Sequence, residues 1–443
     1  MRALPVLVVA ALLFVAPVAG GVSLAGAGTA AVGAADGDST HAAGAIDGSV
    51  GLASVDPANL TLRTLSTPPG AEPRIGHHNR DANFGTAVGL AAGEVDAALR
   101  TETTIQRIES AETSAERQRR ILEAINEVEQ DEVSLDSRQT AAINAHANGE
   151  LTDRELLDEL VRISTIAVEF NDRLEVLDEL SEETDGFSAP SRLDELQVQL
   201  QVYEGPVRDR ALETVRGDTD TAEIRVESTS SAVVLTAIEG DEYVRESFRR
   251  DRWDRGGGIL SSEAAIDAAI ASYPETTALR EPDAFGAGSV QRITVPHEYG
   301  TLRAFVSGGT EQVFVEHQRM DIDQFPDVET DTLAEDGFNV TVHRSYAGGP
   351  VTVAVTDEET GEPVSGITVT KSADGGDSES IGTTNQNGIA RTLSPTESYR
   401  ITVIDEPRVA VVDGIQPIDL PRLTDDLDDS DNTDDVTDSD GGA

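Results

Sequence analysis

The sequence predicts a multidomain protein: an N-terminal α-helical bundle or coiled coil, a central α+β domain, a C-terminal β-sandwich and a disordered acidic tail. Three observations lead there. Apolar residues recur at helical spacing up to the region of Gly217 and at strand spacing beyond it. Two clusters of turn residues, 361–366 (GEPVSG) and 382–388 (GTTNQNG), punctuate the last β-rich stretch. The final segment, 424–443, has no basic and no aromatic residue, so it lacks the apolar surface that folding must bury.

The N-terminus comes first. Arg2 precedes an unbroken run of apolar or small residues from Ala3 to Ala19, and Ala25-Gly26-Ala27 follows. A charged start, an apolar core and a small-residue exit predict a signal peptide over 1–27. An uncleaved anchor is the alternative; Pro17 and the modest length of the run favour cleavage. Residues 28–85 are rich in Ala, Gly, Asp and Thr without lasting periodicity, and read as a disordered spacer. His77 and His78 lie in it, with no acidic or sulfur ligand at metal-site spacing, so a solvated loop is expected there.

Residues 86–217 form the helical or coiled-coil domain. Ile108, Ala111, Ala115, Leu122 and Ile125 make a loose heptad. Leu156, Leu160, Ile163, Ala167, Phe170, Leu174 and Leu177 alternate steps of four and three, which puts all of them on one stripe of a helix. Thr152 and Glu155 form a capping box ahead of it. A third helix carries Leu193, Leu196 and Leu200, is interrupted at Gly205-Pro206, and ends at Gly217. Each stripe needs a partner, either within the chain as a bundle or between chains by self-association.

Residues 219–322 read as an α+β domain. Ala222 to Glu227 and Ala232 to Ile238 are strands by their β-branched content. Ser262 to Ser272 is an Ala-rich helix behind a serine cap. Gln291 to Pro296, Leu302 to Ser307 and Glu311 to Glu316 are further strands, the last two joined at Gly308-Gly309-Thr310. Ser262-Glu263-Ala264-Ala265 and the strand from Gln312 to Glu316 faintly resemble PepSY-like modules. That resemblance implies an extracytoplasmic module that binds or restrains other proteins, with no catalytic residue to carry over.

Residues 323–337 look like a linker and 338–412 like the sandwich, with strands at Val351 to Val355, Ile367 to Thr370 and Tyr399 to Val403. The order Thr360-Gly361-Glu362-Pro363-Val364-Ser365-Gly366-Ile367, then Gly382-Thr383-Thr384 and Asn387-Gly388, resembles carboxypeptidase-regulatory-like and bacterial Ig-like domains. Such domains are small Ig-like or transthyretin-like β-sandwiches that act as spacers or binding modules on secreted and surface proteins. Residues 413–443 complete the chain as a disordered acidic tail. Asp438-Ser439-Asp440-Gly441 hints at a calcium loop, but Val436 stands where the first ligand belongs and the sequence has no twelfth position.

The formal net charge is -49, from 82 acidic and 33 basic residues, and Lys371 is the single lysine. Such a charge opposes compaction in dilute salt. At about 1 M salt the Debye length falls to about 3 Å and the repulsion is screened. Arginine, less strongly hydrated than lysine, still forms forked ion pairs. These features resemble haloarchaeal proteins. The charge also excludes nucleic acid as a partner, because no basic stripe meets phosphates. Cysteine is absent, which removes disulfides and thiolate chemistry.

No nucleophile elbow, zinc-protease motif, phosphate loop or dinucleotide fingerprint occurs. His297 and His317 fall in the central domain, where polar edge-of-sheet positions are the plain expectation. Trp253 lies in the densest basic cluster, Arg249 to Arg255, whose interleaved aspartates predict an internal ion-pair network. Asn59-Leu60-Thr61 and Asn339-Val340-Thr341 match the N-glycosylation pattern. No catalytic residue, metal site or cofactor is expected. The reading is a non-catalytic, secreted or cell-surface interaction or structural protein of a halophile. Its partner is a protein or cell-surface component the sequence does not specify, with membrane contact only through an uncleaved N-terminus. The alternative is a secreted hydrolase with an unrecognised site in the α+β domain.

Overall fold

Asn83, Thr113 and Thr152 each start a long helix by turning a side-chain oxygen onto a first-turn N–H. The computed structural model describes residues 61–219, 221–326, 328–374, 376–424 and 426, all within one compact unit. The signal peptide 1–27, Asn59 and the calcium-loop candidate at 438–441 lie outside the described residues.

The chain enters through a buried stretch at Leu62 to Thr67 and a strand, β1 (Arg74–Arg80). Three long helices follow, α1 (Phe84–Glu109), α2 (Ser114–Ala147) and α3 (Asp153–Glu182), then α4 (Arg192–Gln201) and α5 (Pro206–Arg216). Gly217, at φ 80°, closes α5 in the left-handed conformation that glycine adopts most readily. The expected stripe from Leu156 to Leu177 is buried along its whole length. Its partners are α1, α2, α4 and α5 of the same chain. The loose heptad fares differently. The chain turns between Glu109 and Ser114, so Ile108 and Ile125 are core residues of separate helices and Ala115 is exposed.

The strands β2 (Ala222–Thr229), β3 (Ala232–Glu239), β4 (Glu242–Arg249), β5 (Asp283–Ala287), β6 (Val290–His297), β7 (Gly300–Ser307) and β8 (Val313–Asp321) join β1 in one antiparallel sheet, ordered β1-β2-β3-β4-β8-β7-β6-β5. Helices α6 (Ser262–Ser272) and α7 (Pro274–Leu279) lie between β4 and β5 in sequence. Alternation of side chains gives the sheet two faces. Ile224, Val226, Leu235, Val244, Phe248, Phe305 and Phe314 share one core with α2 to α5. Ile293, Val295, Leu302, Ala304 and Val306 form a second core with α6, Tyr273, Leu65 and Leu423. The helical and central regions therefore share one core rather than folding as separate modules.

The sandwich comprises β9 (Glu329–Glu335), β10 (Phe338–Arg344), β11 (Pro350–Asp357), β12 (Thr368–Ala373), β13 (Glu379–Thr383), β14 (Ile389–Leu393), β15 (Tyr399–Asp405) and β16 (Arg408–Ile415). They form two four-stranded sheets, β14-β11-β10-β9 and β13-β12-β15-β16. Val340, Val342, Val353, Val355, Val369, Ile401 and Val403 fill the space between them. The turn clusters work as expected of such residues: Asp357 Oδ1 accepts the Thr360 N–H at 2.9 Å, and Asn385 Oδ1 accepts the N–H groups of Asn387 and Ile389 at 2.9 and 3.0 Å. Lys371 ties the sandwich to the large sheet. Its ammonium donates to Glu223 on β2 at 2.7 Å and to Thr392 Oγ1 at 2.8 Å. Tyr243, Phe325, Tyr346 and Leu393 pack at the same junction.

Three boundaries differ from expectation. The spacer 28–85 contains β1, whose sequence RIGHHNR pairs with β2 as an edge strand and shows no apolar alternation. The linker 323–337 contains β9, an edge strand with mostly exposed side chains, which pairs with β10. The tail 413–443 begins inside β16, and its residues up to Asp426 bury Leu423 and Asp426. Those residues return to the start of the described chain, where Thr64 pairs with Arg422. Strands β4 and β5, both charged or short, were not legible in the sequence.

Candidate functional site

The two histidines of the central domain are not brought together. His317, on β8, stands on the helical face of the sheet with its ring 5.6 Å from that of Phe305. His297, at the end of β6, continues the series Ile293 and Val295 on the opposite face. Burial lowers the His297 imidazole to about 4, against the pull of Glu298.

His317 lines a small crevice where the α4–α5 turn meets β7 and β8, together with Glu204, Asp209, Thr301, Arg303 and Arg319. The crevice encloses about 90 Å³, less than the roughly 300 Å³ at which sites for small-molecule ligands begin. Burial, with Arg208, Arg303 and Arg319 nearby, holds His317 down at about 3, and its ring hydrogen-bonds the Glu204 backbone. It is therefore neutral at physiological pH and a poor proton acceptor. Burial raises the Glu204 carboxyl to about 7, and the Asp209 carboxylate pushes the same way. Burial also raises the Asp209 carboxyl to about 6, with the Glu246 carboxylate pushing the same way, so two carboxyls of the crevice are poised to exchange protons near neutrality.

The basic cluster is an internal network, as its aspartates predict. Arg249 pairs with Asp251 at 2.7 Å, Arg250 with Asp136 at 3.8 Å, and Arg252 with Asp426 at 2.5 Å. Arg255 pairs with Glu132 and lies 4.9 Å over the Trp253 ring, which stacks on Phe314. His77 and His78 lie on β1, with His77 3.8 Å from Glu223; burial lowers both imidazoles. Among the described residues no group of three or more His, Cys, Asp or Glu is placed to hold a metal. Asn339 sits half-buried on β10, paired on both sides.

The most unusual surface is on α1. Leu90, Thr104 and Ile108 face the core. On the outer side Phe84 is 85% exposed, Val88 50%, Val95 61% and Leu99 61%. Ala92 completes this ridge, and Gly85, Gly89 and Gly93 run beside it at every fourth position. A Cβ added at Gly89 or Gly93 would meet nothing within 4 Å. Residues 83–93 include no charge. Sequence reasoning missed this face because it begins inside the supposed spacer and its glycines read as breakers.

Fold and surfaces together define a multidomain protein with a helical N-terminal region, a β-rich middle and a C-terminal Ig-like β-sandwich. Residues 329–412 match the archaeal fibronectin-III type-like domain, which is what the sandwich is. Residues 1–220 match a domain of unknown function (DUF7096), and residues 224–326 match a family of unknown function (DUF7094). No curated protein and no solved structure matches the chain. The resemblances to carboxypeptidase-regulatory-like and PepSY-like domains gain no support from these matches. The boundary between the first two matched regions falls in the α5–β2 connection, across which a single core runs. Among the described residues no helix is long and apolar enough to cross a membrane.

Proposed function

We propose that the chain is an exported, non-catalytic interaction or structural protein of a salt-loving archaeon, acting outside the cytoplasm or at the cell surface. The observation that carries this reading is the outward face of α1, an apolar surface on a chain of net charge -49. Contiguous exposed apolar surface marks contact sites. The apolar run after Arg2, the archaeal fibronectin-III-like domain and the near-exclusive use of arginine support the compartment and the source. Asn59 and Asn339 remain proposed glycan acceptors, read by intact mass before and after deglycosylation.

Two measurements test the reading. Mass spectrometry of native protein should find a mature N-terminus between Ala19 and Ala27; a cytoplasmic chain that keeps Met1 would overturn export. Thermal melts should show stability rising steeply from dilute to molar salt, because folding concentrates carboxylates and salt screens them. A flat melting temperature would overturn adaptation to salt. A hydrolase is the second reading, favoured by Glu204 near 7. Turnover of ester, glycoside or peptide substrates that vanishes in Glu204→Gln would replace the interaction reading.

A further inference from the structure

Side chains alternate along β11, so Val351, Val353 and Val355 fill the sandwich core while Thr352 and Ala354 stand on the outer face of the sheet. Antiparallel register sets His343 of β10 beside Thr352, and Ile389 of β14 beside Ala354. These four side chains make one patch. The chain leaving β8 runs over it, through the single turn Ile322–Gln324 and then Phe325. Phe325 is held from behind by the ring of Tyr243, edge-on at 5.4 Å, and by that of Tyr346 at 6.0 Å. Between the patch and Ile322 and Phe325 lies a cavity of about 310 Å³, with Pro350 and Val328 also in its wall.

We infer that this cavity is a binding site for a small, uncharged, mainly apolar molecule of one or two rings. The inference goes beyond the reading of an interaction protein and stands on a different surface from α1. The space reaches the roughly 300 Å³ at which small-molecule sites begin, and it lies between two regions of the fold, where such sites tend to occur. Its walls are mostly aliphatic or aromatic, so water finds few partners there and an apolar occupant gains by displacing it. The rings of Tyr243 and Tyr346 fix Phe325 before anything binds, which lowers the ordering cost of binding.

Polar groups at the cavity set the class of ligand. His343 Nδ1 is hydrogen-bonded to Thr330 Oγ1 at 3.1 Å, which orients the ring, and its other nitrogen has no partner among the described residues. With the Thr352 hydroxyl, it offers hydrogen bonding to one polar group of a ligand. No free cation faces the space. Arg391, next to Ile389 but one along β14, is held by Asp323 at 2.6 Å and by Asp241, so it has no charge to spare for a carboxylate or phosphate. The net charge of -49 repels anions further.

The test titrates the full chain in molar salt with indole and phenol, and with benzoate as the charged counterpart, read by saturation-transfer NMR. Indole and phenol should saturate one shared site, and benzoate should not displace them. In the parent, indole should show nuclear Overhauser contacts to the methyl groups of Ala354 and Ile389. Ala354→Phe and Thr352→Phe each put a ring into the cavity from the outer face of β11, away from the sandwich core. Each should weaken indole binding roughly tenfold or more while the melting temperature stays near the parent's. Val95→Asp on α1 should leave indole binding unchanged. Absence of saturable binding by both neutral probes, equal competition by benzoate, contacts to other methyl groups in place of these two, or full binding in the folded Phe variants would overturn the site. None of those results would touch the interaction reading, which rests on α1.

Discussion

Helices α1 and α3 are built by the same local rules and end in opposite situations. Each starts from a side-chain cap, Asn83 in one and the Thr152–Glu155 box in the other. Each has an apolar stripe at helical period. In α3 the stripe lies in the centre of the body, among α1, α2, α4, α5 and the sheet. In α1 a narrow line at Leu90, Thr104 and Ile108 faces inward and the broader apolar ridge faces out. Helical periodicity announces that a face needs cover; it does not say whether the cover belongs to the same chain.

The comparison breaks most sharply at Leu174. Leu174→Asp places an unpaired charge in the core, and the cost should exceed about 4 kcal/mol. Helical circular dichroism and the melting temperature should fall together. A variant as stable as the parent would mean α3 is as unpartnered as α1.

Burial of charge sharpens the same contrast. Glu316 accepts from Arg245 at 2.5 Å, the Leu65 N–H at 2.6 Å and the Tyr273 hydroxyl at 2.7 Å, all buried. Burial raises its carboxyl despite these partners. Glu316→Ala strands the Arg245 guanidinium and should cost about 3–5 kcal/mol in denaturant unfolding. On the outer side of α1, loss of the exposed Asp96–Arg100 pair should cost less than about 1 kcal/mol.

The docking of α5 against α3 and the sheet can be followed by pH, because Glu204 and His317 meet at its start. His317 is depressed to about 3, below the usual value of 6.5, so the unfolded chain binds more protons there. Its contribution to stability is present above 6.5 and is lost as pH falls towards 3. Glu204 is raised to about 7, above the usual 4.5, so its contribution is present below 4.5 and is lost as pH rises through 7. Asp209, raised by burial from the usual 3.8 to about 6, acts in the same direction as Glu204, so between 4.5 and 6 two falling contributions oppose the one rising contribution of His317. Stability of the parent should therefore fall as pH rises from 4.5 to 6. Glu204→Gln should flatten that fall, because Asp209 and His317 then offset each other, and should gain up to a few kcal/mol over the parent at alkaline pH. Identical pH profiles for the two would show that Glu204 is not shifted.

The smallest effect belongs to Val95→Asp, which should change monomer stability by less than about 0.5 kcal/mol, since the side chain is mostly in water. Equilibrium unfolding at low protein concentration reads it. A large loss would put α1's outer face in contact with the chain itself.

Much of the fold was legible because it depends on near neighbours in sequence. The capping box at Thr152, the stripe to Leu177, the Ala-rich helix at Ser262 and the turn at Asn385 each act within a few residues. The edge strands β1 and β9 were not, because an edge strand with wet side chains carries no apolar alternation; it exists by pairing with β2 or β10. Of the candidate residues, the network around Trp253 was foreseen from its alternating charges. The crevice at Glu204 was not, since it joins a helix turn to strands about a hundred residues downstream.

The amino-acid sequence alone determined the helical, central and sandwich classes, the acidic and arginine-rich composition and the absence of thiol chemistry, because these follow from composition and local period. The tertiary structure decided that the helical and central regions share one core, that Lys371 clasps the sandwich to the sheet, and that the segment at Arg422 and Leu423 returns to Thr64 and Leu65. It also decided which side of α1 faces water. Those outcomes depend on which surfaces meet across hundreds of residues, and hydrophobic burial is non-directional, so no local pattern specifies its partner.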